Sequence, residues 1–442
     1  MLANRTVRRP RLGRRAAVAA AAVLGMVAVA ACGSSSSSGG GPSSSGSQAA
    51  GGSGTATGAP IVLFTVAAPE QFPGVGVGLK AAAKAINDAG GVKDPAGGPN
   101  RPIKIDVCSD LAGSNAAADC ARKAVSEKAL AVVGMQSAFS PVIDPIVFKA
   151  GIPVVASGAY GSVDLTDPMS FPIINSQSSG LGGGLAQLSK ALGLQSIYEV
   201  VPNLPQATAL LPVQKQVAKA IGVPIIGTSL INVSSTATPD YTPYAAAAAG
   251  SGAGAIYMNI GPGGVGLMKA LLTQGVDFSK TAVVADTNVI GFSDLDQLGS
   301  GKNGVYFLGN SYPASYTANA TVKKFNDEID ASGDTKTARG EAMAMAWEGV
   351  HIIADLIPKM SEVSSKALVD AMNSAGKIDP GMTPPFDWSQ KAFSSGPLAQ
   401  FRLFTNQIMV SRVVDGKLVP IVDGFQPLDQ PFQINPEGKL SK

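Results

Sequence analysis

The chain has 442 residues, of which 45% are hydrophobic and 15% are charged, and its formal net charge is +3 at pH 7. The basic excess comes from six arginines at the start of the chain, so that without residues 1–31 the balance is 3 − 6 = −3. Because no basic patch remains to neutralise phosphates, nucleic acid is excluded as an expected partner. A single histidine, His351, gives no basis for a metal site or a Ser-His-Asp enzyme, so neither metal, cofactor nor catalysis is expected.

The first 31 residues have the layout of an export signal. A basic region is followed by the apolar run Ala16 to Ala31, which ends in small residues. The run is shorter than the roughly 20 apolar residues that a spanning helix needs. We therefore expect 1–31 to be a signal peptide that is removed from the mature protein.

The run ends in Val29-Ala30-Ala31-Cys32, which resembles the lipobox of bacterial lipoproteins. The resemblance implies a lipid on Cys32; the alternative is an ordinary signal peptide followed by an incidental cysteine. Residues 32–59 are almost all Gly, Ser, Ala and Thr, a composition typical of a flexible tether. The expected location is the outer face of the cytoplasmic membrane, with the lipid as the only membrane contact.

From residue 60 onward, short apolar runs alternate with helical patterns. Such repeated β-α-β units predict an α/β fold whose parallel sheets are covered by helices on both faces. The first unit has strands at 61–66, 103–107, 131–133 and 152–156, with helices at 78–89, 114–128 and 141–149. The second has strands at 196–201, 224–230, 255–259, 281–285 and 304–308, with helices at 180–192, 206–220, 241–250 and 264–274.

The remaining segments cover or extend these two sheets. Between residues 311 and 375 the pattern is helical throughout (318–331, 340–357, 364–375), and these helices must pack on an existing sheet. The C-terminal part predicts strands at 400–405, 407–414 and 417–422, with Asp415-Gly416 as a hairpin turn.

Two cysteines remain beyond Cys32, namely Cys108 at the end of a strand and Cys120 on the following helix. In an exported protein this pair could form a disulfide, and two buried thiols are the alternative.

The order of these elements resembles the type I periplasmic binding proteins, most closely the leucine/isoleucine/valine-binding branch of ABC-transporter receptors. The segments that carry the resemblance are AAAKAINDAGGV, RPIKIDVCSD, NAAADCARKAVSE, ALAVVGMQSAFS, AGIPVVASGAYGSVDLTD, FPIINSQSSG and FRLFTNQIMVSRVVDGKLVPI. The family implies two doubly wound lobes joined by three chain crossings, here near Asn175, Ser311 and Pro397. The N-lobe would comprise 60–175 plus 311–397, and the C-lobe 176–310 plus 398–442.

The resemblance also places a ligand between the lobes. In the N-lobe it implies that Ser137, with Ala138 and Phe139, receives a ligand carboxylate, although Ser137 could instead cap the next helix. Ala159 and Tyr160 match a second clamp loop, and Tyr160 could also be packed under that loop. Phe72 and its neighbour Gln71 are candidates for a lid over the ligand.

In the C-lobe the resemblance is weaker. Asp286, followed by Thr287, could replace the acid that holds an amino group in relatives. Relatives also have an aromatic residue near position 261; this sequence has none there and offers Asn259 nearby. Asn203 and Gln206 are further polar candidates, and a turn and a helix start explain them equally well.

The expected function is therefore capture of a small polar ligand, an amino acid or a related amide or carboxylate, for an ABC permease with a cytoplasmic ATPase. We expect a monomer. A sensing module that uses the same clamp is the alternative, and an amidase-like enzyme would need a base that the sequence does not offer.

Overall fold

The computed structural model describes residues 55–69, 72–111, 113–159, 161–175, 183–232, 238–260, 264–287, 292–415 and 417–440. Within them, no helix is long and apolar enough to cross a membrane. The described residues also contain no group of three or more His, Cys, Asp or Glu side chains that could hold a metal ion.

The first sheet has five parallel strands in the order β2-β1-β3-β4-β5. The strands are β1 (Ile61–Val66), β2 (Ile103–Cys108), β3 (Ala131–Val133), β4 (Val154–Val155) and β5 (Ser170–Phe171). The connecting helices are α1 (Pro73–Asp88), α2 (Ser114–Ser126), α3 (Ser140–Lys149) and α4 (Ser162–Thr166). The predicted parallel β-α-β unit is confirmed, and α1 begins earlier than predicted because Pro73 suits the first helical turn.

Helices cover this sheet on both faces. Leu63 and Val133 face α1 and the later helices α9 (Ala320–Ala331), α10 (Glu341–Leu356) and α11 (Ser365–Ser374). Phe64, which follows Leu63 in β1, and Val132, which precedes Val133 in β3, point to the opposite face and pack against α2 and α3. The predicted helical region therefore lies on the first sheet, as its lack of strands required.

The second sheet has the order β14-β13-β10-β9-β8-β6-β7, with β15 paired to β13. Its parallel strands are β6 (Ile197–Pro202), β7 (Ile225–Ile231), β8 (Ala255–Met258), β9 (Ala282–Asp286) and β10 (Val305–Gly309). The helices of this part are α5 (Gly184–Ala191), α6 (Pro205–Ile221), α7 (Thr242–Gly250), α8 (Gly264–Thr273) and the 3-10 segment Phe292–Gly304. Apolar clusters on both faces make this sheet doubly wound as well.

The C-terminal strands β13 (Gln407–Val414), β14 (Lys417–Pro420) and β15 (Gln426–Pro427) add antiparallel strands to the edge of the second sheet. A two-stranded sheet of β11 (Lys377–Ile378) and β12 (Phe386–Asp387), and short 3-10 turns at Ile357–Lys359 and Pro436–Gly438, complete the fold. The hairpin β13–β14 is confirmed, and Gly416 of its predicted turn lies outside the described residues.

The predicted strand at 400–405 is wrong. Residues 401–406 form no strand. Leu398, Phe401 and Leu403 instead pack with Leu165 of α4 and Leu210 of α6. The apolar alternation in this segment is thus satisfied by side-chain packing, and the chain enters the second sheet only at Gln407, later than the crossing expected near Pro397.

Cys108 and Cys120 form a disulfide bond with a Cα–Cα distance of 5.6 Å. The bond joins the end of β2 to α2. It therefore ties the two elements together on either side of their short connection.

Candidate ligand-binding site

Each sheet contains one point at which the strand order reverses. In the first sheet β1 lies between β2 and β3, so the chain leaves β1 toward one side and later returns on the other; in the second sheet β6 has the same position between β7 and β8. Ligands of open parallel sheets bind beyond the carboxyl ends of the strands at such a switch point. The loops that follow β1 and β3, and those that follow β6 and β8, are therefore the places to look for a ligand.

The loop after β3 is held against the end of β1. Ala67 and Gln136 form an isolated parallel bridge, and the Gln136 N–H donates to the Val66 carbonyl at 3.2 Å. The loop begins with Gly134, where glycine is needed because its φ is +64° and a Cβ there would lie 2.8 Å from the Ala346 Cβ of α10. The loop therefore presents Ser137 and Ala138 at the switch point.

Ser137 is engaged within the protein. Its Oγ donates to Asp110 Oδ2 at 2.5 Å and accepts from the Phe139 N–H at 3.1 Å. Both side chains are buried, and Asp110 reaches Ser137 across the end of β1 from the loop after β2. A carboxylate of the protein thus occupies the neighbourhood in which the resemblance expected a carboxylate of the ligand.

The clamp loop after β4 lies next to the Ser137 loop. The Gly158 N–H donates to the Met135 carbonyl at 3.1 Å, so the two loops are joined through main-chain atoms. Ala156 and Ala159 have φ angles of +54° and +48°, a conformation that is costly for alanine and is often found at functional sites. Ser157 is buried, and its Oγ has no hydrogen-bond partner among the described residues.

A buried acidic pair supports the clamp loop from behind. Asp164 Oδ2 accepts from the Gly161 N–H at 2.6 Å and from Ser140 Oγ at 2.7 Å. Burial, followed by the neighbouring Asp164, raises the pKa of Asp144 well above its usual value. A protonated Asp144 avoids two adjacent negative charges, so that Asp164 can accept these bonds and fix the end of the loop.

At the switch point of the second sheet, two asparagines follow the flanking strands. Asn203 comes directly after β6, where its N–H donates to Ile231 of β7 and its Nδ2 donates to Asn232 Oδ1 at 2.8 Å. Asn259 comes directly after β8, and its N–H donates to Val200 of β6 at 3.1 Å. The main chain therefore fixes both residues on either side of the reversal.

A second group of polar residues joins the two sheets. Asp286 is buried as the last residue of β9, and Thr287 Oγ1 after it donates to Glu341 Oε2 at 2.6 Å. Glu341 is the first residue of α10, on the first sheet, and it also accepts from the N–H of Asn310, at 2.5 Å, and from its Nδ2. Gly309 is required here, because a Cβ would lie 2.1 Å from Thr287 Oγ1.

The structure says less about the other predicted ligand residues. Phe139 packs partly against the α2–α3 face of the first sheet, and Phe72 packs partly against the opposite face at the start of α1. Gln206 lies in the first turn of α6, and its side chain is outside the described part. Gln71 and Tyr160 lie wholly outside the described residues.

Three polar residues at these loops were not predicted from the sequence: Asp110, Ser157 and Glu341. Asp110 and Ser157 each follow a predicted strand within three residues, and that position was a usable signal. Glu341 directly precedes the apolar run Ala342 to Trp347 of the same helix, which could have marked it as a residue with a polar partner.

Solved structures with this fold come from several receptors. A fatty acid ABC transporter substrate-binding protein from Thermomonospora curvata superposes with a TM-score of 0.69 at 14% identity, covering 87% of this chain and 95% of that one. A solute binding protein of an ABC transporter from R. palustris, in complex with 4-hydroxybenzoate, gives 0.66 at 16% identity over 83% and 97%. A leucine binding protein from Thermotoga maritima gives 0.64 at 15% identity over 85% and 99%.

These identities establish a shared fold only. No curated protein sequence matches the chain significantly. The sequence profile described as periplasmic binding protein matches residues 62–405, which is most of the chain and includes both switch points and the polar loops described above. The chain therefore belongs to the periplasmic binding protein family.

Proposed function

We propose that the chain is an extracytoplasmic solute-binding lipoprotein that captures a small polar ligand for an ABC importer. The observation that carries the proposal is the family match over a fold in which two doubly wound sheets each present polar loops at a switch point. Ser137, Ala138, Ser157 and Ala159 would contact the ligand from the first sheet. Asn203, Asn259 and Asp286 would contact it from the second.

Closure around the ligand is the proposed mechanism. The two lobes, proposed as 60–175 plus 311–397 and 176–310 plus 398–442, move about the crossing segments, with the third crossing completed by Gln407. A ligand can shift this equilibrium only if it binds the closed form more tightly than the open form. Groups from both lobes must therefore contact it at once. The Thr287–Glu341 hydrogen bond lies beside the crossing proposed near Ser311, because Glu341 also accepts from the Asn310 N–H. It would hold the segments that follow β9 and β10 to the start of α10.

The anchor and partners follow from the same proposal. A lipid on Cys32 would hold the protein at the outer face of the membrane, and the Gly/Ser-rich segment up to residue 59 would serve as the tether. The monomeric closed form would then dock on a membrane permease that a cytoplasmic ATPase drives. The Gln71, Phe72, Tyr160 and Gln206 side chains remain proposed additions to the ligand shell.

The proposal is tested by titration calorimetry of the full chain, purified in detergent, against amino acids, amides, amines and organic acids, together with mass spectrometry of small molecules that co-purify with it. We expect one class to bind at a single site. Asn259→Ala should weaken that binding about tenfold, the worth of one hydrogen bond to a ligand. The control is Asn100→Ala, which makes the same change at the amino end of the first sheet, where Asn100 Nδ2 donates to Gly90.

Absence of binding to every class, with nothing co-purifying, would remove the support for a receptor. Uptake by cells that lack the protein then separates transport from sensing. Loss of uptake of the bound compound supports the importer, whereas unchanged uptake supports a sensing module.

A further inference from the structure

Asp110 places a carboxylate at the switch point of the first sheet. It follows β2, yet its Oδ2 lies 2.5 Å from the Ser137 hydroxyl, which follows β3, and β1 lies between these two strands. The side chain therefore spans the end of β1, where a ligand is expected. Asp110 is only 2% exposed, so its charge is poorly screened by solvent.

The hydrogen bonds of Ser137 show whether its hydroxyl can donate to a ligand. Its one proton is donated to Asp110, and its oxygen accepts from the Phe139 N–H. The hydroxyl cannot donate to a ligand carboxylate at the same time. A carboxylate, in contrast, can accept several hydrogen bonds at once, so accepting one from Ser137 is compatible with accepting another from a ligand.

The charges of the surrounding loops have the same sign. The segments that follow the strands of the two switch points and their neighbours are 67–72, 109–113, 134–139, 156–161, 203–204, 232–241, 259–263 and 287–291, and none contains Lys or Arg. Their acidic residues are Glu70, Asp110 and Asp240, and Asp286 ends the strand that precedes the last of these segments. A ligand carboxylate would meet no basic side chain from these loops.

The loop that carries Asp110 is also held in place. The disulfide between Cys108 and Cys120 brackets it, and the Gly113 N–H donates to the Asp110 carbonyl at 2.7 Å. Leu111 has a φ of +47° and is 71% exposed, a costly arrangement for a large apolar residue. A loop fixed in this way keeps the carboxylate in position whether or not a ligand is present.

We propose that the ligand presents a positively charged nitrogen to Asp110 and has no carboxylate at that end. This inference rests on the proposed receptor function and specifies its substrate class. Asp110 accepts a charge-assisted hydrogen bond from the ligand, and the Ser157 hydroxyl in the adjoining loop, which has no partner among the described residues, is a second polar contact. The N-lobe end of the site therefore selects a base, the reverse of the carboxylate expected from the family resemblance.

The test is calorimetry of the full chain with probes that share a skeleton but differ in charge. The aliphatic set is 1,4-diaminobutane, 4-aminobutanoate and butanedioate, and the aromatic set is benzylamine, benzamide and benzoate. We expect the bases to bind at least 100-fold more tightly than the corresponding anions. Asp110→Asn should weaken binding of the base about 10- to 100-fold, the range for a hydrogen bond to a charged group.

Asp119→Asn is the matched control, because it removes one negative charge from the same lobe at a side chain that is 74% exposed. It should leave the affinity unchanged. Thermal unfolding of both variants with the disulfide intact separates a binding effect from a folding effect.

Three results would overturn the inference: anions or neutral probes that bind as tightly as the bases, an Asp110→Asn protein that is folded and binds the base normally, or no binding of any base. If anions or neutral probes bind, the receptor function stands and only the assignment of a cation fails. If no probe of any charge binds and nothing co-purifies, the receptor function loses its support as well.

Discussion

At the scale of single residues, a buried acid, Glu348, makes the stability of the protein depend on pH. Glu348 of α10 is fully buried and accepts from the Met382 N–H at 2.8 Å and from Thr383 Oγ1 at 2.7 Å. Burial nevertheless raises the pKa of Glu348 from its usual 4.5 to about 7. The folded chain therefore binds a proton here that the unfolded chain releases between these two values.

The contribution of Glu348 to stability should fall as pH rises. It is fully present below pH 4.5 and is lost as the pH rises to about 7, at up to about 1.4 kcal/mol per pH unit. Glu348→Gln keeps a carbonyl acceptor and cannot ionise, so it should reduce the loss of unfolding free energy between pH 5 and pH 8. Urea unfolding of the full chain at both values measures this. The exposed control Glu362→Gln should keep the slope of the parent protein, and an unchanged slope in Glu348→Gln would contradict the assignment.

Residues of this kind are difficult to predict from sequence, because their partners lie far away along the chain. Asp110 and Ser137 are 27 positions apart, and Thr287 and Glu341 are 54 apart. Hydrophobic periodicity reports which face of an element is buried, and it does not report which polar groups meet at loop ends. The sequence predicted the loops in which the site is proposed, whereas the charge of the groups at their ends depends on which side chains meet there.

At the scale of secondary-structure elements, the contact between α1 and α10 needs small residues. A Cβ on Gly78 would lie 2.3 Å from the Met343 carbonyl oxygen, a main-chain atom that cannot move aside. A Cβ on Gly76, two residues earlier in the same helix, would lie 3.6 Å from Val107 Cγ2, an ordinary contact. One glycine is thus required by packing, and the other only lowers helix propensity.

The two glycines of α1 should respond in opposite directions to alanine. Gly78→Ala should lower the free energy of unfolding by about 1–3 kcal/mol through overpacking. Gly76→Ala should raise it by about 0.5–1 kcal/mol, since alanine is the better helix former. Urea unfolding of the full chain compares them, and equal effects of the two substitutions would show that the α1–α10 contact is looser than described.

Helices and strands were predicted correctly where the apolar pattern of a segment fits only one kind of secondary structure. The helices α9, α10 and α11 and the parallel strands of both sheets were predicted to within a few residues, except β5 (Ser170–Phe171), which was not predicted. It failed at 400–405, where the alternating apolar residues of FRLFT pack between α4 and α6 and do not pair with a neighbouring strand. Alternation shows that one face of a segment is buried, and it does not show that a neighbouring strand buries it.

At the scale of the whole molecule, the fold could be predicted because many weak segments occur in one order. No single strand or loop identified the family, but their sequence along residues 60–442 did, and the profile match over 62–405 agrees with it. The ligand could not be predicted in this way, since specificity belongs to a few groups at the site and not to the fold. The solved relatives show the same point, as their names refer to a fatty acid, 4-hydroxybenzoate and leucine.

The proposed lipid anchor is tested on the complete molecule in cells. Cys32→Ser removes the only sulfur that the lipobox-like sequence offers, so the protein should move from the membrane fraction to the soluble extracytoplasmic fraction. Immunoblots of the separated fractions measure this change. The control Ser35→Ala should stay in the membrane fraction, and membrane association of Cys32→Ser equal to that of the parent protein would exclude this anchor.

Under the proposed receptor function, the disulfide has a consequence for when the molecule becomes able to bind its ligand. Cys108 and Cys120 enclose the loop that holds Asp110, and a bond of this type forms in oxidising compartments and not in a reducing cytoplasm. A chain still awaiting export would therefore lack the covalent brace of the loop that is proposed to face the ligand. The timing of oxidation would keep the receptor from sequestering cytoplasmic metabolites during its synthesis, and the loop would acquire its final rigidity only on the side of the membrane where the ligand is collected.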